Sequence, residues 1–288
     1  MGCDYVLHPN MAAPALQPHD DATVIELWLR GRPTTTTRAY TADYRALLEF
    51  VGKSLREITP TDMFLFAAQV KGAAATRARR LAGVKSLMGF AYRIGFLVVD
   101  PSRAIRLPRV PRNLGERVLR ADEVVDLIHE AQKGRDQALL RTLYIAGIRI
   151  SEATKLRWCD LGRRWLAVAG KGSKPRTVLV PQELLQELEQ LRRRTEPDEG
   201  FVFQSGGGRP ISPGHARRIV RALAMEAIGK PASPHWLRHS HACHSVEHGV
   251  PLHVLQASLG HASLSTTSLY LHARPNQGSS QYLAFPSG

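Results

Sequence analysis

From Asp20 onward, apolar positions recur with the period of a helix. Asp20 or Asp21 is placed to cap a first helix running through Trp28. The threonines from Thr34 to Thr37 can cap a second, whose apolar face reads Tyr40, Tyr44, Leu47 and Val51. Thr59-Pro60 marks the start of a third, an N-cap followed by proline at the first helical position, where the missing N–H would have no helical partner anyway. A fourth helix, from Ala73 to Ile94, turns Leu81, Val84, Leu87, Met88 and Ala91 inward and leaves Arg77, Arg80 and Lys85 facing elsewhere. Together they make residues 19–107 a small all-α domain. Residues 1–18 carry Pro9, Pro14 and Pro18 among small residues without a sustained period, and read as a disordered arm.

The pattern breaks over residues 108–118. Pro108 and Pro111 deny helix there while Arg109 and Arg112 stay exposed, the composition of an extended basic linker. A second domain, 119–288, opens with helices expected near 122–132, 135–147 and 151–157. Trp165 to Val168 and Thr177 to Val180 then read as two strands joined by a glycine-rich turn, and further helices lead to a C-terminal tail. The expected fold class is mainly α with a small β-sheet, an α+β chain in two domains.

Length and charge sharpen this picture. At roughly 100 to 200 residues per domain, 288 residues favour two compact domains. The formal charge is +14, so a polyanion is the first partner to consider. Basic and acidic groups number 14 and 9 over residues 1–108, 3 and 1 over 109–118, and 22 and 15 over 119–288, so the surplus is not confined to a tail. No apolar run approaches 18 residues, which argues against a membrane partner. Cys3, Cys159 and Cys243 are odd in number and widely spread, as suits a reducing compartment. The expected location is cytoplasmic, in association with the nucleoid.

Four segments carry candidate chemistry. In Ser233-Pro234-His235-Trp236-Leu237-Arg238, the serine and proline predict a helix start that sets His235 and Arg238 on one face, near amides and a dipole end that favour an anion. Histidines crowd the same stretch, but no CxxC or HExxH accompanies them, so the expected metal set is none. His261 stands nine residues ahead of Tyr270, in a turn after Gly260, with Ser265 able to cap the helix that carries the tyrosine. Arg149 lies between Ile148 and Ile150, just past a glycine able to stop a helix; Glu152 is close enough to orient it, and Ser151 could cap the helix that follows. Lys171 sits at the hairpin tip, where a flexible amine can reach a substrate. Each segment alone also has a structural explanation: a decorated helix start, a core tyrosine, a paired arginine, a solvated lysine.

Together they resemble the tyrosine recombinase and integrase family over essentially all of the second domain. The family's G-L-R-x-S-E segment falls on Arg149, with Ile148 in place of leucine; the hairpin lysine falls on Lys171; H-x-x-R falls on His235 and Arg238; L-G-H places His261; and S-T-T-x-x-Y places Tyr270. The resemblance implies a site-specific recombinase that cleaves and rejoins DNA through a 3′-phosphotyrosine and a Holliday junction, without metal, ATP or other cofactor. It implies that the arginines hold the nonbridging oxygens, Lys171 protonates the leaving 5′ oxygen, His235 assists proton transfer, His261 bonds the phosphate and Tyr270 attacks. The four helices are similar to the family's SAM-like core-binding domain, so the expected form is a C-shaped clamp on double-stranded DNA. Arg38, Arg77, Arg80, Lys85, Arg109, Arg112, Lys174 and Arg176 are the candidate DNA contacts. The expected target is an inverted-repeat core site bound by a tetramer of chains that are monomeric when free. With only residues 1–18 ahead of the helices, a Xer-like form without an arm-binding domain is expected. Two alternatives remain open: a type IB topoisomerase-like nicking and closing enzyme, and a DNA-binding regulator that has kept the fold.

Overall fold

Residues 20–110, 115–169, 175–193 and 196–260 are described by the computed structural model. The chain divides into two compact units, residues 1–112 and 113–288.

In the first unit the helices are α1 (Asp21–Leu29), α2 (Thr34–Val51), α3 (Pro60–Gln69) and α4 (Ala74–Arg93). Asp20 caps α1, its Oδ1 accepting from Thr23 N at 2.7 Å. Thr59 caps α3 in a capping box with Asp62. The start of α2 differs from the sequence expectation. Pro33, with φ already near the helical value, occupies the N-cap, and the threonines lie inside the first turn, where the Thr37 hydroxyl donates to the Pro33 carbonyl at 3.3 Å. Trp28 stacks on Tyr40 with centroids 4.9 Å apart and donates its indole N–H to Ser86 Oγ at 3.2 Å, so the largest core side chain is satisfied at its polar end. Leu47, Met63, Leu87 and Met88 are fully buried around it. Between α2 and α4, the buried Asp43 carboxylate is gripped by both arms of Arg79 at 2.6 and 2.7 Å. Gly83 makes room for this pair, because a Cβ there would lie 2.7 Å from Asp43 Oδ2.

Helices α5 (Ala121–Glu130), α6 (Arg135–Ile145), α7 (Ile150–Ala153), α8 (Gln182–Gln190), α9 (Pro213–Ile228), α10 (Pro234–Glu247) and α11 (Leu252–Leu259) build the second unit with strands β1 (Trp165–Ala169) and β2 (Pro175–Leu179). The strands pair antiparallel, with Leu166 opposite Val178 and Val168 opposite Arg176. Leu166, Val168 and Val178 are buried, which fixes the register through the face turned to the core. Two sequence expectations are corrected here. The helix expected over 151–157 is the single turn α7, because the chain next pairs elsewhere: Val202 N donates to Leu156 O at 2.9 Å and Trp158 N to Gly200 O at 3.0 Å. Arg149, and not Ser151, stands at its N-cap. Ser233 takes the N-cap position of α10, although its hydroxyl makes no capping bond.

Candidate active site

Helix α6 stops where Gly147 turns left-handed, with φ 59°. Ile148 and Ile150 are buried on either side of Arg149, and this anchors its backbone while the side chain stays 35% exposed. The Arg149 N–H donates to Glu152 Oε2 at 2.7 Å and its Nη1 to Oε1 at 2.9 Å. The same carboxylate receives Nη1 and Nη2 of Arg176 from β2, each at 2.9 Å. Burial by itself would raise the pKa of Glu152, but the Arg176 fork and the Arg149 bonds outweigh it and hold the carboxyl below its ordinary range.

Arg238, on the first turns of α10, is only 4% exposed. Its Nη1 donates to the Gly147 carbonyl at 2.6 Å and its Nη2 to the Leu259 carbonyl at 2.7 Å, which joins the end of α6 to the end of α11. Arg176 Nε donates to Ser258 O at 2.9 Å, and Arg149 Nη2 reaches Gly260 O at 3.4 Å. Three successive carbonyls at the negative end of α11 therefore face three guanidinium groups. Gly260, with φ 63°, lets this happen: a Cβ there would stand 3.1 Å from Cδ and Nε of Arg176. With one carboxylate against three guanidiniums, the cluster keeps an excess of positive charge.

Histidine chemistry lies beside it. His235 lies at the start of α10, one turn ahead of Arg238, with one part of its surface open to solvent and another covered by protein. Partial burial, then the charges of Arg238, Arg217 and Arg149, lower its pKa and keep the ring neutral near pH 7. Its ring centroid is 6.5 Å from that of His239. His241 packs against Gly147 so closely that a Cβ on the glycine would fall 2.5 Å from its Cδ2, and burial pushes its pKa down to about 4. Behind it, Tyr144 Oη and His244 Nδ1 share a hydrogen bond of 2.8 Å.

The structure thus brings together Arg149, Glu152, His235 and Arg238. Lys171, His261 and Tyr270 lie outside the described residues, as do Arg112 and Lys174. The described residues that border two of these segments do belong to the cluster: Arg176 of β2 follows the hairpin tip, and Gly260 immediately precedes His261. Arg38, Arg77, Arg80 and Arg109 are exposed. Lys85 does not have the open position expected of a DNA contact: its ammonium is bound by the carbonyls of Ser102 at 2.6 Å and Ile105 at 2.8 Å, fastening α4 to the segment after it. Arg176 is likewise turned inward to Glu152. That inward role and the packing of His241 beneath Gly147 were missed in the sequence. Among the described residues, no group of three or more His, Cys, Asp or Glu side chains is disposed to hold a metal ion, and no helix is long and apolar enough to cross a membrane.

The phage integrase family model matches residues 117–277, and the model of the phage integrase N-terminal SAM-like domain matches residues 25–95. Tyrosine recombinase XerC of Mycobacterium sp. (strain JLS) is 36% identical over 269 residues, covering 84% of this chain and 89% of the relative. Tyrosine recombinase XerC of Mycobacterium tuberculosis (strain ATCC 25177 / H37Ra) is 36% identical over 266 residues, with the same coverage of 84% and 89%. A lambda integrase dimer bound to a COC′ core site shares the fold with a TM-score of 0.73 at 18% identity, over 90% of this chain and 96% of that one.

Proposed function

The chain belongs to the phage integrase family of tyrosine recombinases, and from that membership we propose that it cuts and rejoins DNA at a specific site with Tyr270 as the nucleophile. The observation that carries this reading is the convergence of Arg149 and Arg238 on the end of α11, directly ahead of the segment that leads to His261 and Tyr270, with His235 close enough to feel the charge of both. The Tyr270 oxygen attacks the phosphorus, the bond to the 5′ oxygen breaks, and a 3′-phosphotyrosine forms. Arg149 and Arg238 hold the nonbridging oxygens, where charge grows in the transition state. His235, neutral near pH 7, assists transfer of the tyrosine proton, Lys171 protonates the departing 5′ oxygen, and His261 donates to the phosphate. One phosphodiester is exchanged for another, so bond energy is retained and ATP has no part.

Rejoining reverses these steps with a 5′-hydroxyl from the partner strand. Two rounds among four protomers pass through a Holliday junction on an inverted-repeat core site. The helical unit, the basic linker and the catalytic unit each contribute to DNA binding, and the exposed Arg38, Arg77, Arg80 and Arg109 are the candidate phosphate contacts. In the cell the protein works in the cytoplasm on the nucleoid.

The test uses a nicked suicide duplex built on an inverted repeat found by sequencing the DNA that flanks the gene. The wild-type chain is expected to give a covalent, protease-sensitive protein–DNA band, and Tyr270→Phe to bind the duplex without forming one. A covalent band from Tyr270→Phe assigns the nucleophile elsewhere, while a wild-type chain that only shifts the duplex is a binding protein.

A further inference from the structure

Arg176 differs from the other two arginines of the cluster in having both terminal nitrogens bonded to one carboxylate. All three of its guanidinium nitrogens are bonded to protein, Nη1 and Nη2 to the two oxygens of Glu152 and Nε to Ser258 O, each at 2.9 Å. Its side chain is 13% exposed against 35% for Arg149, and it is the bond to a carboxylate, more than burial, that sets it apart from the still more buried Arg238. The planar fork that would read a phosphate is closed on a carboxylate. Its partners lie 24 and 82 residues away in sequence, so these bonds join segments that nothing local holds together.

Each joined segment leads to a different member of the catalytic set. β2 leads back to Lys171, α7 is capped by Arg149, and α11 leads to His261. We propose that Arg176 is a positioning residue for strand cleavage, holding these three segments in register through Glu152 and the Ser258 carbonyl and making no contact with DNA. The proposal rests on the reading above, in which Lys171, Arg149 and His261 act on one phosphate. Without Arg176, the hairpin loses its tie to α11. Glu152, only 7% exposed, is then left with Arg149 as its remaining cation among its present partners. A buried carboxylate in that state draws Arg149 toward itself and away from the phosphate.

The test compares the full-length wild type with Arg176→Gln, Arg176→Lys, Glu152→Gln and the double variant Arg176→Gln/Glu152→Gln, on the same nicked duplex. Affinity is measured against salt, and single-turnover cleavage at saturating DNA. Displacements near 1 Å at a reacting centre can cost about 10²-fold in rate, and that is the expected loss for Arg176→Gln. The salt slope should be unchanged. Arg176→Lys should recover part of the rate, and the double variant should cleave no slower than Arg176→Gln, because the carboxylate that pulls on Arg149 is gone.

A salt slope smaller by about 0.9 with normal cleavage at saturation would make Arg176 a phosphate contact instead. A loss of rate that disappears well below the variant's melting temperature would reduce its role to stability. If Arg176→Gln does not fold, Arg176→Lys decides, and a fully active lysine variant overturns the proposal. A wild-type chain without a covalent band removes the reading beneath this inference. A normal wild type beside an unimpaired Arg176→Gln removes the inference alone.

Discussion

Arg149 and Arg238 differ in how much of each guanidinium faces water, and this sets what a substitution should do. Arg149→Lys keeps the charge but replaces a planar fork with a single point donor. Losing one donor aimed at developing charge typically costs about 10² to 10³ in rate. Single-turnover cleavage at saturating DNA should fall by that amount, while affinity stays close to that of the wild type; a variant cleaving within a few-fold of wild type would take Arg149 out of the transition state. His241 makes a separate prediction in pH. Its folded pKa of about 4 lies below the 6.5 of an unperturbed histidine, so between those values the unfolded chain holds more protons. Stability must therefore fall as pH drops through this window, by about 2 kcal/mol between pH 7 and pH 5. Urea unfolding of the wild type and of His241→Gln at both pH values checks it, and the substitution should flatten the dependence. The link between Arg149 and Glu152 was legible in the sequence because an arginine set among apolar residues needs a partner and Glu152 lies three positions on, whereas the capping of the Arg149 N–H by the same carboxylate was not, since Ser151 was expected at the cap. The link from Glu152 to Arg176 was not, since only tertiary packing brings β2 to α7, and composition alone made Arg176 look like one more surface cation.

Elements were legible where their ends are decided locally. Thr59-Pro60 and Asp20 carry their caps in their own side chains, and α3 and α1 begin where those residues predict. Helix α7 was overestimated because what ends it is distant: the amides of Val202 and Trp158 are paired across to residues 156 and 200, which no local pattern announces. Lys85 was misjudged for a related reason. The helical pattern turns it away from the apolar face of α4, and the carbonyls that bind it come from the loop after that helix. Glycines at helix ends supply a controlled comparison. Gly52 and Gly147 both adopt left-handed φ, 62° and 59°, but a Cβ on Gly52 meets nothing within 4 Å while one on Gly147 meets His241 at 2.5 Å. Gly52→Ala should cost only the conformational term, about 1 to 2 kcal/mol. Gly147→Ala should add an overpacking cost of about 1 to 3 kcal/mol. It should also displace the carbonyl that anchors Arg238, so cleavage should suffer even where the variant remains folded. Urea melts and cleavage rates of the two variants side by side test this, and equal effects would mean that the contact with His241 yields easily.

At the scale of the whole molecule, each unit has its own apolar core, one around Trp28, Leu47 and Leu87 and the other around Leu139, Leu143 and Phe203. Positive charge is in surplus over both and over the linker between them. If all three sections meet DNA, log affinity should fall with log salt at about −0.9 per phosphate neutralised, and the catalytic unit alone should show a clearly smaller slope than the full chain. Identical slopes would mean that the helical unit does not touch the duplex. The end of α11 carries a different kind of consequence, one for how the chain can vary over time. Its three arginines are received by main-chain carbonyls, which every amino acid possesses. Replacing the side chain of Ser258 leaves its acceptor in place, so point changes there should drift freely. Inserting or deleting one residue within α11 is another matter, because it turns the downstream residues by about 100° around the helix axis and moves all three acceptors together. The tip of this helix should thus be permissive in spelling at Ser258, though not at the buried Leu259 or at Gly260, and intolerant in length.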